Sequence, residues 1–241
     1  MSHIKETSIL LIATFLLLCS IFLIDTHTKS IISNSALSSN NLFTVVIDAG
    51  HGGFDSGKVG VDGTLEKDIN LNIAKKLEKL LQTADINVIM TRTDDMGLYD
   101  EGSNNKKRQD MTRRAALMNE ANADCVISIH QNSYTQESID GAQVFYYTDS
   151  ESGENLASLI QSSMISRVDP TNHRAVKPND SYYLLKHSTA PIVIVECGFL
   201  SNRDESKKLV DDSYQQKLAW AIHLGILQHL NGADTNLHIS K

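Results

Sequence analysis

The stretch TVVIDAGHGG, residues 44–53, decides how the rest of the chain is read. It begins apolar on both faces and breaks at an acid, a histidine and three glycines. Such a run reads as a strand buried on both sides, of the kind found in parallel sheets. Downstream, Ile69, Ile73, Leu77, Leu80 and Leu81 recur at helical spacing and form one stripe. Ile86–Thr91 reads as a second strand, and the polar residues 93–110 as a long exposed loop. Asp110 or Thr112 is expected to cap a helix reaching Asn122. Cys125–His130 and Gly141–Tyr147 read as strands, 152–167 as a helix, and Tyr182–Leu185 as a short strand. Pro191–Glu196 is another apolar strand, and a last helix covers Tyr214–Leu230. Strands alternating with helices predict an α/β fold: a largely parallel, twisted central sheet of about six strands flanked by helices.

Composition sets the outer bounds. The chain has 241 residues, 41% hydrophobic and 21% charged, which suits a packed globular domain and excludes disorder throughout. Acidic residues outnumber basic ones, 29 to 22, for a formal charge of −7. Lys5, Lys29, Glu6 and Asp25 cancel, so the excess lies beyond residue 40. That balance argues against nonspecific nucleic-acid binding, which needs a basic patch.

Ile9–Ile24 carries only Thr14 and Ser20 as polar residues. With Thr7 and Ser8 it reaches the length of a short membrane span. A signal peptide and a retained anchor compete. No small-x-small cleavage site follows directly, and Ser33-Asn34-Ser35 is distant, so a retained anchor fits better. Either reading implies export. The expected layout is an apolar segment at 1–29, a Ser/Asn-rich tether at 30–42, a folded domain at 43–231 and a frayed tail at 232–241. Cys19 lies in the apolar run, and Cys125 and Cys197 lie in strands. Two thiols at opposite strand ends are expected to stay free.

Three strands end in a titratable residue, at Asp48–His51, at Ser128–Asn132 and at Glu196. In open α/β sheets sites form beyond the carboxyl ends of the strands. If the strands are parallel, His51, His130 and Glu196 share one edge. The helix after the first strand starts at that edge, with Thr64 as N-cap and Glu66 in its first turn. Two imidazoles and a carboxylate suit a catalytic zinc that keeps one open position. His51, Glu66 and His130 would hold it, and Glu196 would move the proton. Each residue also has a plainer role, as a hydrogen-bonded strand-end histidine or a carboxylate on a helix dipole. On pattern alone the metal site and this plainer set stand level. Glu196 is the hardest to dismiss, since it closes an apolar run and needs a partner or a function. Asn132 could orient a substrate carbonyl or a backbone turn, and His173 and His187 lie in loops near the edge and could touch ligand. Arg114 is expected to pair with an acid or to cap backbone carbonyls, and His223 and His229 to serve packing or surface.

In this order the residues resemble the zinc-dependent N-acetylmuramoyl-L-alanine amidases of the third amidase family. The matching pieces are VVIDAGHGGFDSG (45–57), GTLEKDINLNIAKKL (63–77), TRTDD (91–95), RAALMNEANADCVISIHQN (114–132), GAQVFYY (141–147) and PIVIVECGFLSN (191–202). The resemblance implies zinc ligands at His51, Glu66 and His130, and Glu196 as catalytic carboxylate. It implies a peptidoglycan substrate, cut between the lactyl group of N-acetylmuramic acid and L-alanine. The stretch Arg174–His187 resembles the sporulation and germination branch, which implies trimming of spore-cortex glycan before muramic lactam forms. Arg174 and His187 are candidate substrate contacts on that basis. No wall-binding repeat is evident in the sequence, which implies a possible accessory protein for placement or metal retention. A zinc peptidase acting within the stem peptide and a non-catalytic peptidoglycan-binding module are the alternatives.

Overall fold

The structure is a computed structural model that describes the backbone of residues 43–239 and side chains as far as Gly232. The Ile9–Ile24 run, Cys19 and the tether lie outside the described residues. Among those described, no helix is long and apolar enough to cross a membrane.

The described elements run β1 (Thr44–Ala49), α1 (Glu66–Gln82), β2 (Asn87–Met90), α2 (Lys106–Glu120), β3 (Cys125–Asn132), β4 (Gln143–Tyr147), α3 (Glu151–Arg167), β5 (Lys177–Asn179), α4 (Tyr183–His187), β6 (Ile192–Phe199), α5 (Arg203–Leu209) and α6 (Asp212–Ile239). The six strands form one sheet in the order β2-β1-β3-β6-β4-β5. β2, β1, β3 and β6 run parallel, while β4 pairs antiparallel with β6 and carries β5 alongside it. The largely parallel α/β sheet expected from the alternation is therefore present.

Strand periodicity sorts the two faces. Val45, Ile47, Ile127, Ile129, Val193 and Val195 pack against α1, α3 and α6. Val46, Val126 and Ile194 point the other way, against Ala115 and Met118 of α2 and Leu184 and Leu185 of α4. Both faces are covered, which is why these strands read as unbroken apolar runs. The α1 stripe is buried at Ile69, Ile73, Leu77 and Leu81, with Leu80 half-buried. Cys125 and Cys197 are buried and free, as expected.

Four local expectations need correction. Tyr182–Leu185 is not a strand. Asn179 Oδ1 accepts from the Ser181 and Tyr182 amides and turns the chain into the short helix α4. The strand in this region is Lys177–Asn179, at the sheet edge, where Pro178 is tolerated. Thr64 does not cap α1. Leu65 holds the cap position, and the first free amides, of Glu66 and Lys67, donate instead to the carbonyls of Lys58 and Ser56. α2 begins at Lys106, capped by Asn105, so the exposed loop is shorter than expected and Asp110 lies inside the helix. Its polar first turn carried no apolar period to reveal it. The last helix, α6, runs Asp212–Ile239 and so extends past both ends of the expected Tyr214–Leu230.

The α2 face of the sheet carries a buried ion pair. Arg114, on α2, donates to Asp48 of β1 at 2.6 Å and to Asp110 at 2.8 Å. Asp48 is fully buried and also accepts from Ser128 Oγ at 2.6 Å and Thr91 Oγ1 at 2.8 Å. Burial works to raise the Asp48 pKa, but the Arg114 charge and the Ser128 hydroxyl outweigh it and hold the value at about 2. The folded value lies below the ordinary 3.8, so the contribution is full above that pH and is lost as pH falls towards 2. Its size is about 2 kcal/mol. Asp48→Asn should cost about 3 kcal/mol in urea unfolding at pH 7, because it strips a buried guanidinium of its nearest charge. The acid-limb loss between pH 4 and 2 should shrink in the same variant. A cost below about 1 kcal/mol would show that Asp110 alone satisfies Arg114.

Candidate metal centre

At the carboxyl end of β1 the chain turns sharply through Gly50 and His51, whose φ is 63°. That conformation is unfavourable for a side-chain-bearing residue and has to be held from outside. Three carbonyls in a row are held. Ala49 O accepts from Arg92 Nε at 2.8 Å and Arg114 Nη1 at 2.9 Å. Gly50 O accepts from Asn70 Nδ2 and Arg92 Nη2, both at 3.1 Å. His51 O accepts from Arg114 Nη2 at 2.6 Å. Gly50 is required for another reason: a Cβ there would sit 2.3 Å from the His130 ring.

The turn aims His51 Nε2 at Glu66 Oε1, 3.2 Å away. His130 Nδ1 approaches the same oxygen at 3.0 Å, and the two rings meet edge to face with centroids 4.9 Å apart. Glu66 is 2% exposed. Its Oε1 also accepts from the Gln131 amide at 3.1 Å, and its Oε2 accepts from the Lys58 amide at 2.8 Å. Burial alone would raise the Glu66 pKa, but the hydrogen bonds and charges of His130 and His51 hold it far below the carboxylate range. Burial likewise opposes charge on His51, but Asp55 and Glu66 win and raise it to about 9.

Glu196 stands beside this cluster. It is the parallel cross-strand partner of His130, and period-two alternation puts both on the α2 face of the sheet. It is 8% exposed, and its Oε2 is buried without a hydrogen-bond partner among the described residues. Burial raises its pKa to about 7, with the negative charge of Glu66 adding and the two histidines offsetting.

The three-residue cluster fits a divalent cation. One ligand atom from each of His51, Glu66 and His130 lies within 4.8 Å of the others. Two donors on a tetrahedral zinc with bonds of 2.0–2.1 Å sit roughly 3.3 Å apart, close to the 3.2 and 3.0 Å that separate His51 and His130 from Glu66 Oε1. The second nitrogen of His51 meets Asp55 Oδ2 at 2.9 Å, the carboxylate–imidazole arrangement that fixes a ligand's tautomer and direction. Lys107, from the first turn of α2, in turn pairs with Asp55.

The expected substrate contacts divide. Asn132 lines the cleft over the centre, although its Oδ1 already accepts from the Ser133 amide. Arg174 does not reach the cleft. Its Nε donates to Asp140 O and its guanidinium lies 4.7 Å over the Phe199 ring, which ties the loop before β4 to β6. His187 stacks on Tyr183 at 3.9 Å and bonds the Tyr183 carbonyl, so Tyr183 faces the cleft and His187 stands behind it. His173 is exposed and does not line the cleft. His223 and His229 are buried packing residues, His229 against Asn155. Sequence reading missed Asp55, Gly57 and Lys107. Gly57, at φ 66°, lies where a Cβ would strike Glu66 at 2.5 Å and His51 at 2.7 Å. Asp55 follows His51 by four residues, but loops impose no period that would make this spacing a signal.

A family model for N-acetylmuramoyl-L-alanine amidases, Amidase_3, matches residues 45–228. The chain belongs to this family. It is 37% identical over 188 residues to the germination-specific N-acetylmuramoyl-L-alanine amidase of Bacillus subtilis, covering 77% of this chain and 78% of that one. The CwlD amidase of Clostridioides difficile, solved in complex with the GerS lipoprotein, superimposes with a TM-score of 0.77 at 43% identity, over 78% of this chain and 98% of that one. A second amidase, from Clostridium difficile 630, gives a TM-score of 0.71 at 36% identity, over 80% and 98% of the two chains. As a family member the chain is an amidase, and its His51, Glu66 and His130 lie within the matched span.

Asp55→Asn should preserve the fold and weaken divalent-metal binding roughly 10- to 100-fold, measured by titration with Zn²⁺ against a chromophoric chelator. Unchanged affinity would make Asp55 a surface partner of Lys107 and no more.

Proposed function

We propose that this amidase hydrolyses the bond between the lactyl carbonyl of N-acetylmuramic acid and the nitrogen of L-alanine, using one zinc ion held by His51, Glu66 and His130. Zinc in this site would supply a Lewis acid for the amide carbonyl and an acidified water. The chain's own residues do the rest. Asp55 fixes the His51 imidazole, and Asn70 and Gln131 fix Glu66, so little rearrangement of these two is needed on metal binding. Glu196 accepts a proton from water and delivers it to the departing alanine nitrogen. The observation that carries this reading is the uncommitted Glu196 oxygen beside three converging ligand atoms. A structural carboxylate this deeply buried would have its hydrogen bonds filled.

The germination-specific relative supports a spore-cortex substrate. Removing the peptide frees the lactyl carboxyl, which is what closing a muramic lactam ring requires. The relative solved with a lipoprotein supports an accessory partner for placement or metal retention. On this reading the Ile9–Ile24 run anchors an exported enzyme facing the wall or cortex.

Glu196→Ala should keep stoichiometric zinc and lose roughly 10²–10⁴-fold in kcat. His51→Ala should lose the metal. Metal analysis and mass spectrometry of digested cortex muropeptides read both outcomes, with free lactyl muramic acid as product. Cleavage inside the stem peptide would replace this reading with the peptidase. Full activity after chelation would end the zinc mechanism.

A further inference from the structure

The cleft over the metal centre, about 690 Å³, has two chemically different sides. They come from different segments of the chain. His130 on β3 and Glu196 on β6 lie side by side between them. The loop after β1 passes Glu66 and reaches the end of β6, where the Val61 amide donates to the Leu200 carbonyl, while the segment after β5 packs on Phe145 of β4.

In the loop after β1, beside Glu66, the notable group is Lys58. Its backbone is tied on both polar atoms to Glu66: the Lys58 amide donates to Glu66 Oε2, and the Lys58 carbonyl accepts from the Glu66 amide. Its side chain is exposed, lines the cleft and has no hydrogen-bond or ion-pair partner among the described residues. The other cations lining the cleft are committed, Lys107 to Asp55 and Arg114 to Asp48 and Asp110. An unpaired ammonium on a backbone fixed to a metal ligand, in a chain of net charge −7, is a ready partner for an anion. On the β5 side the wall is aromatic. Tyr182 and Tyr183 both line the cleft and are more than a third exposed. Tyr182 packs edge-on to Phe145, and Tyr183 is backed by His187. These contacts hold both rings in place.

We propose that the cleft binds its substrate in one direction, with the neutral sugar against Tyr182 and Tyr183 and the anionic peptide towards Lys58. The proposal rests on the amidase reading, because it needs a substrate whose scissile amide has a sugar on one side and a peptide on the other. The chemistry of that substrate matches the two sides. The muramic acid ring is uncharged once its lactyl carboxyl is in amide linkage, and its C–H faces suit flat aromatic rings. The glutamyl residue after L-alanine carries a free α-carboxylate, or an amide where that group is modified. Lys58 is therefore a specificity residue that separates the two forms.

The test uses N-acetylmuramoyl-L-alanyl-D-glutamate with its γ-carboxyl blocked as the methylamide, its D-isoglutamine counterpart blocked in the same way, and the sugar-free lactoyl peptide of the blocked free acid. With Lys58→Gln, KM for the free acid should rise roughly fivefold and KM for the isoglutamine form by less than twofold, with kcat retained for both. Rising salt should erase the wild-type preference. Tyr182→Leu should raise KM for the sugar-bearing substrates and not for the lactoyl peptide, and Tyr182→Trp should restore it. Equal effects of Lys58→Gln on the two peptides, or of Tyr182→Leu with and without sugar, would overturn the proposal. Calorimetric binding of the same ligands to the Glu196→Gln variant reads the same preferences without turnover. Failure of the amidase reading, in which no lactyl–alanine bond is cut, is thereby distinguished from failure of this one.

Discussion

The Asp48–Arg114 pair is the constraint on which the site depends. A fully buried ion pair brings little net stability, because desolvation consumes most of the attraction. Here its value is positional. The guanidinium that meets Asp48 also holds the carbonyls of Ala49 and His51, and so keeps His51 in a positive-φ turn that would otherwise relax. Arg92 grips the same turn from the other direction and reaches on to the Lys67 carbonyl in α1. Two arginines buried side by side repel each other, and burial with the Arg114 charge pushes the Arg92 pKa down. The cost is offset by a row of carbonyls and carboxylates that could be satisfied in no other way.

Two buried glutamates in one small site are given opposite characters by their surroundings. Glu66 faces both imidazoles and several N–H donors, which hold it ionised and fixed. Glu196 has burial and a neighbouring negative charge, and one oxygen without a donor, which raises its pKa. Environments that drive two carboxylates apart in pKa separate a ligand from a proton carrier.

The parts of this arrangement that were legible in the sequence are those written in strong periodicity. β1, β3 and β6 are buried on both faces and announce themselves as apolar runs. The α1 stripe is a clean helical period. Because these strands are parallel, residues at their ends meet at one edge, so His51, His130, Glu66 and Glu196 could be gathered before any geometry was known. What failed was written in weaker signals. α1 is capped by carbonyls of a preceding loop rather than by Thr64, and sequence carries no mark of that. α2 begins with a polar turn that reads as loop. Arg174 and His187 were placed near the site by sequence proximity and resemblance, but Arg174 is held by a loop carbonyl and an aromatic face, and His187 is screened by Tyr183. Asp55 meets His51 four residues away in a loop that imposes no period, and Lys107 joins through Asp55 across 52 residues, beyond any local pattern.

The register of β3 against β6 finishes the site. Ser128 pairs with Ile194 and His130 with Glu196, so both titratable residues fall on the α2 face. A slip by one residue would bring Val195 or Cys197 opposite His130 and send Glu196 into the core against α1 and α6. The ladder then breaks: past His130 the pairing shifts, and Asn132 lies opposite Phe199. Such an irregularity takes a backbone group out of the regular hydrogen-bond pattern. The Gln131 amide donates to Glu66 Oε1, and the Gln131 side chain reaches Asn70, which bonds the same carboxylate. The place where the sheet loses its regularity is thus where it supports the ligand carboxylate. A perfectly regular ladder at this point would leave Glu66 one backbone donor short.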